Sequence, residues 1–86
     1  MAAAKEKVKT LKVFYGADSK EFPFDKDGLV GDLLTATVQA FSIVTNAHLM
    51  SLYDEGRELP DASTLKDSKV KAKSELVLRQ SAVKGG

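Results

Sequence analysis

The stretch that decides the fold is DGLVGDLLTATVQAF, residues 27–41. Its mostly apolar positions recur at helical spacing and form one stripe, made of Val30, Leu33, Leu34, Thr37, Val38 and Phe41. Asp27 is a suitable N-cap, and Asp32 suits the positive end of the helix dipole. Gly31 is less favourable than alanine inside a helix by about 1 kcal/mol. We therefore expect one amphipathic helix that ends between Phe41 and Ile43.

The residues before this helix alternate with a period of two, which is typical of a half-buried strand. From Val8 onward two sets of side chains point to opposite sides, with Leu11, Val13 and Tyr15 on one and Thr10, Lys12 and Phe14 on the other. Residues 16–19 have the composition of a turn, and Phe22 and Phe24 resume the alternation, which predicts a β-hairpin. Pro23 cannot donate a ladder hydrogen bond, so its strand should lie at a sheet edge.

Three further strands are predicted after the helix, at residues 50–53, 58–59 and 75–80. The last strand can lie beside the first, which gives one mixed sheet of four to five strands packed on one helix. The predicted core consists of Leu11, Val13, Leu33, Leu34, Leu52, Leu65, Leu76 and Leu78. The chain is thus expected to form one α+β domain over residues 8–80, and a β-grasp is one of several folds that this order allows.

The composition excludes several classes of function. Thirteen Lys and Arg against twelve Asp and Glu give a net charge of +1, which is no signature of nucleic-acid or anionic-membrane binding. No apolar run approaches the ~20 residues of a membrane span, and residues 1–5 lack the apolar segment of a signal peptide. We therefore expect a cytoplasmic protein with neither a membrane nor a nucleic-acid partner.

The sequence also argues against catalysis within this chain. It contains no cysteine, so a disulfide, a thiolate zinc site and a nucleophilic thiol are excluded. The only histidine, His48, follows a loop and has no nucleophile elbow around it. We expect His48 to be a surface residue, and we expect no enzyme activity, no metal and no cofactor.

The segment Lys69-Val70-Lys71-Ala72-Lys73 places a lysine at every second position. One interpretation is a basic patch, and the other is a solvated loop that Val70 anchors to the core. The sequence favours the solvated loop.

Several segments resemble ubiquitin. Leu76-Val77-Leu78-Arg79, followed shortly by Gly85-Gly86, is similar to the end of ubiquitin, and the segments at 56–59 and 64–67 resemble its third hairpin and the turn after it. The resemblance implies the β-grasp fold and is closest to bacterial ubiquitin-like modifiers. Those are encoded beside an activating enzyme, a conjugating enzyme and a metal-dependent isopeptidase, which would be the partners together with target proteins. The chain departs from ubiquitin in a longer tail and in an extra N-terminal arm at residues 1–7.

Two candidate sites follow from this resemblance. The first is the terminus itself, Gly85 and Gly86, on a tail at residues 81–86 that has no apolar period and is expected to be mobile. Glycine suits transfer chemistry because it lacks a β-carbon and lets catalytic groups approach its carbonyl closely. The second is a partner-binding surface at outward positions of the strands, made of Tyr53, Val77, Arg79 and Phe14.

Three functions remain open at the level of the sequence. The chain is expected to be a protein modifier that an ATP-dependent enzyme activates at the Gly86 carboxylate and that is then conjugated to targets. An alternative is a sulfur carrier, similar to the small proteins of thiamine and molybdopterin synthesis, whose terminus becomes a thiocarboxylate. The other alternative is a binding or assembly module that is never transferred, because fold alone does not determine function.

Overall fold

The computed structural model describes residues 9–81 and 83–84. They form five strands and one α-helix: β1 Thr10–Tyr15, β2 Asp18–Pro23, α1 Val30–Ala40, β3 Met50–Asp54, β4 Arg57–Glu58 and β5 Glu75–Gln80. A short 3₁₀ turn, Ala47–Leu49, leads into β3 and carries the exposed His48. No helix in this described part is long and apolar enough to cross a membrane.

The strands form one mixed sheet in the order β2-β1-β5-β3-β4. The central pair, β1 and β5, is parallel, while β2, β3 and β4 pair antiparallel with their neighbours. The predicted α+β arrangement is confirmed, including the position of β5 beside β1 and the edge position of β2. Pro23 is the last residue of that edge strand, where its missing N–H removes no ladder bond.

The core lies between α1 and one face of the sheet. Alternation places Leu11, Val13, Leu76 and Leu78 on this face with at most 1% exposure. The predicted core is confirmed as one cluster, in which Leu33 is only partly buried. Leu65 and Val70 are each only 3% exposed, so these two side chains hold the connection before β5 to the core.

The N-terminus of α1 differs from the prediction. Leu29, not Asp27, is the N-cap, and no side chain caps the helix. The first amide groups instead bond to the loop before β5: the Val30 amide donates to the Ser63 carbonyl at 2.8 Å and the Gly31 amide to the Asp61 carbonyl at 2.9 Å. These carbonyl groups accept hydrogen bonds from helix amides that a capping side chain would otherwise accept. Asp27 lies outside the helix.

Candidate functional site

The predicted surface residues lie together on the sheet face opposite the helix. Phe14 of β1 pairs with Val77 of β5, and Val77 pairs with Tyr53 of β3. Paired residues of neighbouring strands point to the same face, so these three side chains form one row across the sheet. Arg79 follows Val77 by two positions and reaches the same row, where its guanidinium lies 4.4 Å from the centre of the Tyr53 ring. We call Phe14, Tyr53, Val77 and Arg79 the open-face row.

The members of the open-face row differ in exposure. Val77 is 43% exposed, whereas Tyr53 is only 7% exposed, so the expectation that Tyr53 offers apolar area to a partner is wrong. Arg79 covers one side of the Tyr53 ring, and the Tyr53 hydroxyl donates to Glu58 Oε1 at 3.3 Å. Phe14 is half-buried, with Lys12 Nζ 5.8 Å from its ring centre. A partner would therefore meet Val77, the exposed part of Phe14 and the Arg79 charge.

Glu58 of β4 joins this face to the tail. Its carboxylate accepts the Ser81 hydroxyl at 2.6 Å and the Ser51 hydroxyl at 2.9 Å, in addition to the Tyr53 hydroxyl. Donors to a carboxylate favour its charged form. The bond from Ser81, then those from Ser51 and Tyr53, lower the pKa of Glu58 below its ordinary value, with a smaller contribution from the charge of Lys84 and against a partial opposing effect of burial.

The first residues of the tail are attached to the domain. The Ser81 amide donates to the Leu49 carbonyl at 2.7 Å, which continues the β3–β5 ladder beyond its last pair. The Ser81 hydroxyl accepts the amides of Val83 and Lys84 at 3.0 and 2.9 Å. Ser81 is 2% exposed, so the first residue of this segment packs against the domain, and the mobility of residues 81–86 stays a prediction.

Lys84 makes the second attachment of the tail. Its ammonium group donates to Asp61 Oδ2 at 2.7 Å and to the Met50 carbonyl at 2.9 Å. Asp61 also accepts the Gly31 amide through its main-chain carbonyl, so the same loop residue serves the helix and the tail. We call Ser81, Lys84 and their partners Glu58 and Asp61 the tail anchor.

Sequence reasoning missed the tail anchor because no periodic pattern includes it. Ser81 follows β5 directly, and a buried serine at that position has no signature in composition or spacing. The predicted terminal site, Gly85 and Gly86, lies outside the described residues, as does the predicted arm at residues 1–7. The geometry therefore describes the point from which the terminal glycines begin and leaves their own role a prediction.

Comparison with protein-family models and with characterised protein sequences found no match. Among the solved structures that share the fold are two that match most of this chain. One is the crystal structure of ATBAG1 in complex with HSP70, with a TM-score of 0.75, 22% identity and coverage of 90% of this chain and 42% of that chain. The other is the solution structure of the N-terminal ubiquitin-like domain in the 4931431F19Rik protein, with a TM-score of 0.73, 17% identity and coverage of 87% of this chain and 76% of that chain. This chain therefore has a ubiquitin-like β-grasp fold, and it spans less than half of the first of the two chains.

Proposed function

We propose that this chain is a ubiquitin-like protein modifier that is transferred to target proteins through the carboxylate of Gly86. The observation that carries the proposal is the tail anchor, which fixes the chain at Lys84 on a ubiquitin-like fold. Gly85 and Gly86 follow this fixed point directly in the sequence. A domain that presents a pair of glycines from a defined position suits an enzyme that must find one carboxylate.

The chemistry requires partners because a free carboxylate is a poor acyl donor. An activating enzyme would let the Gly86 carboxylate attack the α-phosphorus of ATP, which forms an acyl-adenylate and releases pyrophosphate. A cysteine thiolate of the enzyme would then displace AMP to give a thioester, and a target amine would displace the thiolate to give an amide. Catalysis belongs to the partners in this proposal, and the present chain supplies the acyl group.

The tail anchor limits the reach of the terminus. With Lys84 attached, Gly85 and Gly86 span only about 7 Å when extended, whereas release of the whole segment 81–86 would give about 20 Å. Lys84 and Asp61 have side chains that are 28% and 43% exposed, and ion pairs of such exposure contribute at most about 1 kcal/mol. Binding of an activating enzyme can therefore supply the free energy to release Lys84, so the anchor orients the tail without preventing transfer.

The open-face row is the proposed contact surface for these enzymes. Val77 offers exposed apolar area and Arg79 a charge above the Tyr53 ring, close to where β5 leads into the tail. By the resemblance described above, the partners are an activating enzyme, a conjugating enzyme and a metal-dependent isopeptidase of a bacterial system in the cytoplasm.

A non-transferred binding module is the alternative that a specific observation favours. One of the similar solved structures contains a protein partner, HSP70, and the open-face row alone would serve such a role. In that case the Gly86 carboxylate would take part in no transfer reaction. A sulfur carrier is the remaining alternative, in which the same terminus would become a thiocarboxylate and no target would be attached.

The experiment uses the tryptic cleavage site that precedes the glycines. Trypsin cleaves after Lys84, so a conjugate should yield target peptides that carry a Gly-Gly remnant on the acceptor amine. The tagged full chain is expressed in its native cell, purified under denaturing conditions and digested. We expect remnant-bearing peptides with the native chain and none with a variant that lacks Gly86.

Two controls separate the three functions. Arg79→Ala retains the terminus but alters the open-face row, so it should reduce the yield of conjugates without changing the remnant. Intact-mass spectrometry of the unattached chain detects a sulfur carrier, since one terminal oxygen would be replaced by sulfur. If neither remnant nor sulfur is found while the chain still binds a protein partner, the binding module replaces the modifier.

A further inference from the structure

Five lysines line one groove at the end of the sheet where β1 and β5 begin. They come from three separate parts of the chain and are Lys9, Lys26, Lys66, Lys69 and Lys71. The groove has a cavity volume of about 550 Å³, and none of the described residues that line it is Asp or Glu. All five lysines are exposed. A chain of net charge +1 thus collects five of its thirteen Lys and Arg around one cavity, which makes a local positive potential.

Main-chain hydrogen bonds hold the three parts together. The Phe24 amide donates to the Lys9 carbonyl at 2.8 Å, and the Lys66 amide donates to the Lys26 carbonyl at 2.9 Å. The Lys69 amide donates to the Lys66 carbonyl at 3.0 Å, which closes the turn that carries both side chains. The lysines are therefore neighbours because the backbone places them so, and not by chance contact of flexible side chains.

The floor of the groove is apolar. Phe24, Val70 and Ala72 line it between the lysines. Val70 is 3% exposed and belongs to the core, whereas Phe24 and Ala72 are partly exposed. A floor of this kind accepts an apolar side chain, and the lysines around it favour negative charge beside that side chain.

The positive charge of the groove is only partly compensated within the described part of the chain, where Lys69 and Lys71 also line a neighbouring pocket that contains carboxylates. Lys26 pairs with Asp27 at 3.2 Å, but both side chains are more than 60% exposed, so solvent screens this pair. The other four lysines form no salt bridge with any described residue. Like charges held close together repel, and an acidic partner would relieve this repulsion.

We propose that this groove, which we call the lysine groove, binds an acidic segment of a partner protein that carries an apolar side chain. Its carboxylates would pair with the lysines, and its apolar side chain would pack on Phe24 and Ala72. The N-terminal arm of this chain is an unsuitable occupant because it contains Lys5 and Lys7 against a single acid, Glu6. A nucleic acid fits less well, because base stacking needs an open aromatic face and Phe24 is half-buried.

The lysine groove is independent of the proposed transfer chemistry. Strands β1 and β5 run parallel, so Lys9, before β1, and Lys71, before β5, lie at one end of the sheet. Ser81 follows β5 and lies at the other end. An acidic partner can therefore occupy the groove while the tail is engaged, and the groove does not depend on whether Gly86 is ever activated.

The test is an NMR titration of the ¹⁵N-labelled full chain with a short synthetic peptide in which Glu alternates with Leu. We expect the largest amide shifts at residues 24–26 and 66–72, and weaker binding at high salt because exposed charges are screened beyond about 10 Å at 0.1 M. Replacing Leu by Ser in the peptide should weaken binding at unchanged charge, since the apolar floor would lose its contact.

Charge-reversal variants provide the matched comparison. Lys66→Glu with Lys71→Glu should weaken peptide binding about tenfold or more, which corresponds to about 1.4 kcal/mol. Lys12→Glu with Lys20→Glu makes the same change in net charge outside the groove and should alter affinity less than about twofold. Thermal melting confirms that both variants fold.

Four outcomes would overturn the proposal. They are equal weakening in the two charge-reversal variants, shifts that avoid the lysine groove, tighter binding of an oligothymidine of equal charge, and self-association of the chain that accounts for the shifts. The third would assign the groove to nucleic acid, and the fourth to a second copy of this chain.

Discussion

At the scale of single residues, Glu58 connects the open-face row with the tail. Its carboxylate receives three hydroxyl groups, those of Ser51, Tyr53 and Ser81. Ser81 at the same time accepts the amides of Val83 and Lys84. Protonation of Glu58 would weaken these bonds together, so acid should loosen the start of the tail.

This network predicts a pH-dependent effect of Ser81→Ala. The pKa of Glu58 is lowered in the folded state, mainly by the Ser81 hydroxyl. The interactions that lower this pKa stabilise the folded protein fully at pH values above the unfolded-state pKa of about 4.3. This stabilisation is lost as the pH falls through the lower pKa of the folded state. Ser81→Ala should therefore reduce the thermal midpoint at pH 7, and the difference from the native chain should shrink as the pH falls below about 4.3.

The control for this prediction is Ser19→Ala, an exposed position on the edge strand β2. It should leave the thermal midpoint nearly unchanged at every pH. Thermal melts followed by circular dichroism at a series of pH values provide the measurement. A difference between Ser81→Ala and the native chain that stays constant into acid would show that Glu58 does not contribute through Ser81.

Tyr53 illustrates what strand alternation can and cannot predict about one residue. Alternation correctly assigns its side chain to the face opposite the helix, because Leu52 is in the core. Whether a side chain on that face is exposed depends on its neighbours, and here Arg79 and Glu58 cover the ring and its hydroxyl. Those contacts join three strands, and a sequence pattern along one strand carries no information about them.

At the scale of elements, the sequence predicts the helix almost to its ends, but it does not explain why the helix contains Gly31. The predicted stripe and the buried residues Val30, Leu34 and Thr37 agree. Gly31 weakened the prediction because glycine disfavours a helix. The structure explains its presence: a β-carbon at this position would lie 3.2 Å from the Asp61 carbonyl oxygen and 3.4 Å from the Asp61 β-carbon. That close approach depends on a loop thirty residues away in sequence.

We predict that side chains at Gly31 destabilise the protein despite their higher helix propensity. Alanine gains about 1 kcal/mol in propensity, but its β-carbon presses on a carbonyl that already accepts the Gly31 amide, and overpacking costs about 1–3 kcal/mol. Gly31→Ala should thus give no stability gain, and Gly31→Val should lower the free energy of unfolding by about 1–3 kcal/mol.

Urea denaturation measures these differences, with Gln39→Ala at an exposed position of the same helix as the control. The control should change stability by no more than about 0.5 kcal/mol. A clear gain in stability for Gly31→Ala would mean that the loop at Asp61 moves aside freely. The Asp61 main chain would then be no fixed part of the tail anchor.

At the scale of the whole molecule, the sequence predicts the order of the elements better than it predicts the surfaces that we propose to be functional. The order of elements and the core follow from periodicity, because each strand or helix carries its own local pattern. The tail anchor and the lysine groove depend on contacts between distant segments, such as Lys84 with Asp61 and Lys9 with Phe24. The alternating lysines at 69–73 favoured a solvated loop, since only the fold adds Lys9, Lys26 and Lys66 to them.

The two faces of the sheet differ in burial, and in our proposal the helix side supplies stability while the open face supplies recognition. Neighbouring residues of β5 test this division. Leu78 is 1% exposed on the helix side, while Val77 is 43% exposed on the open face. Leu78→Ala should lower the free energy of unfolding by about 2–5 kcal/mol, because it leaves a cavity in the core. Val77→Ala should change it by less than about 1 kcal/mol, since a partly exposed side chain contributes little buried area. Urea denaturation of both variants gives the two values. Equal losses would show that the open face is covered as fully as the core, and Val77 would then have no exposed area to offer a partner.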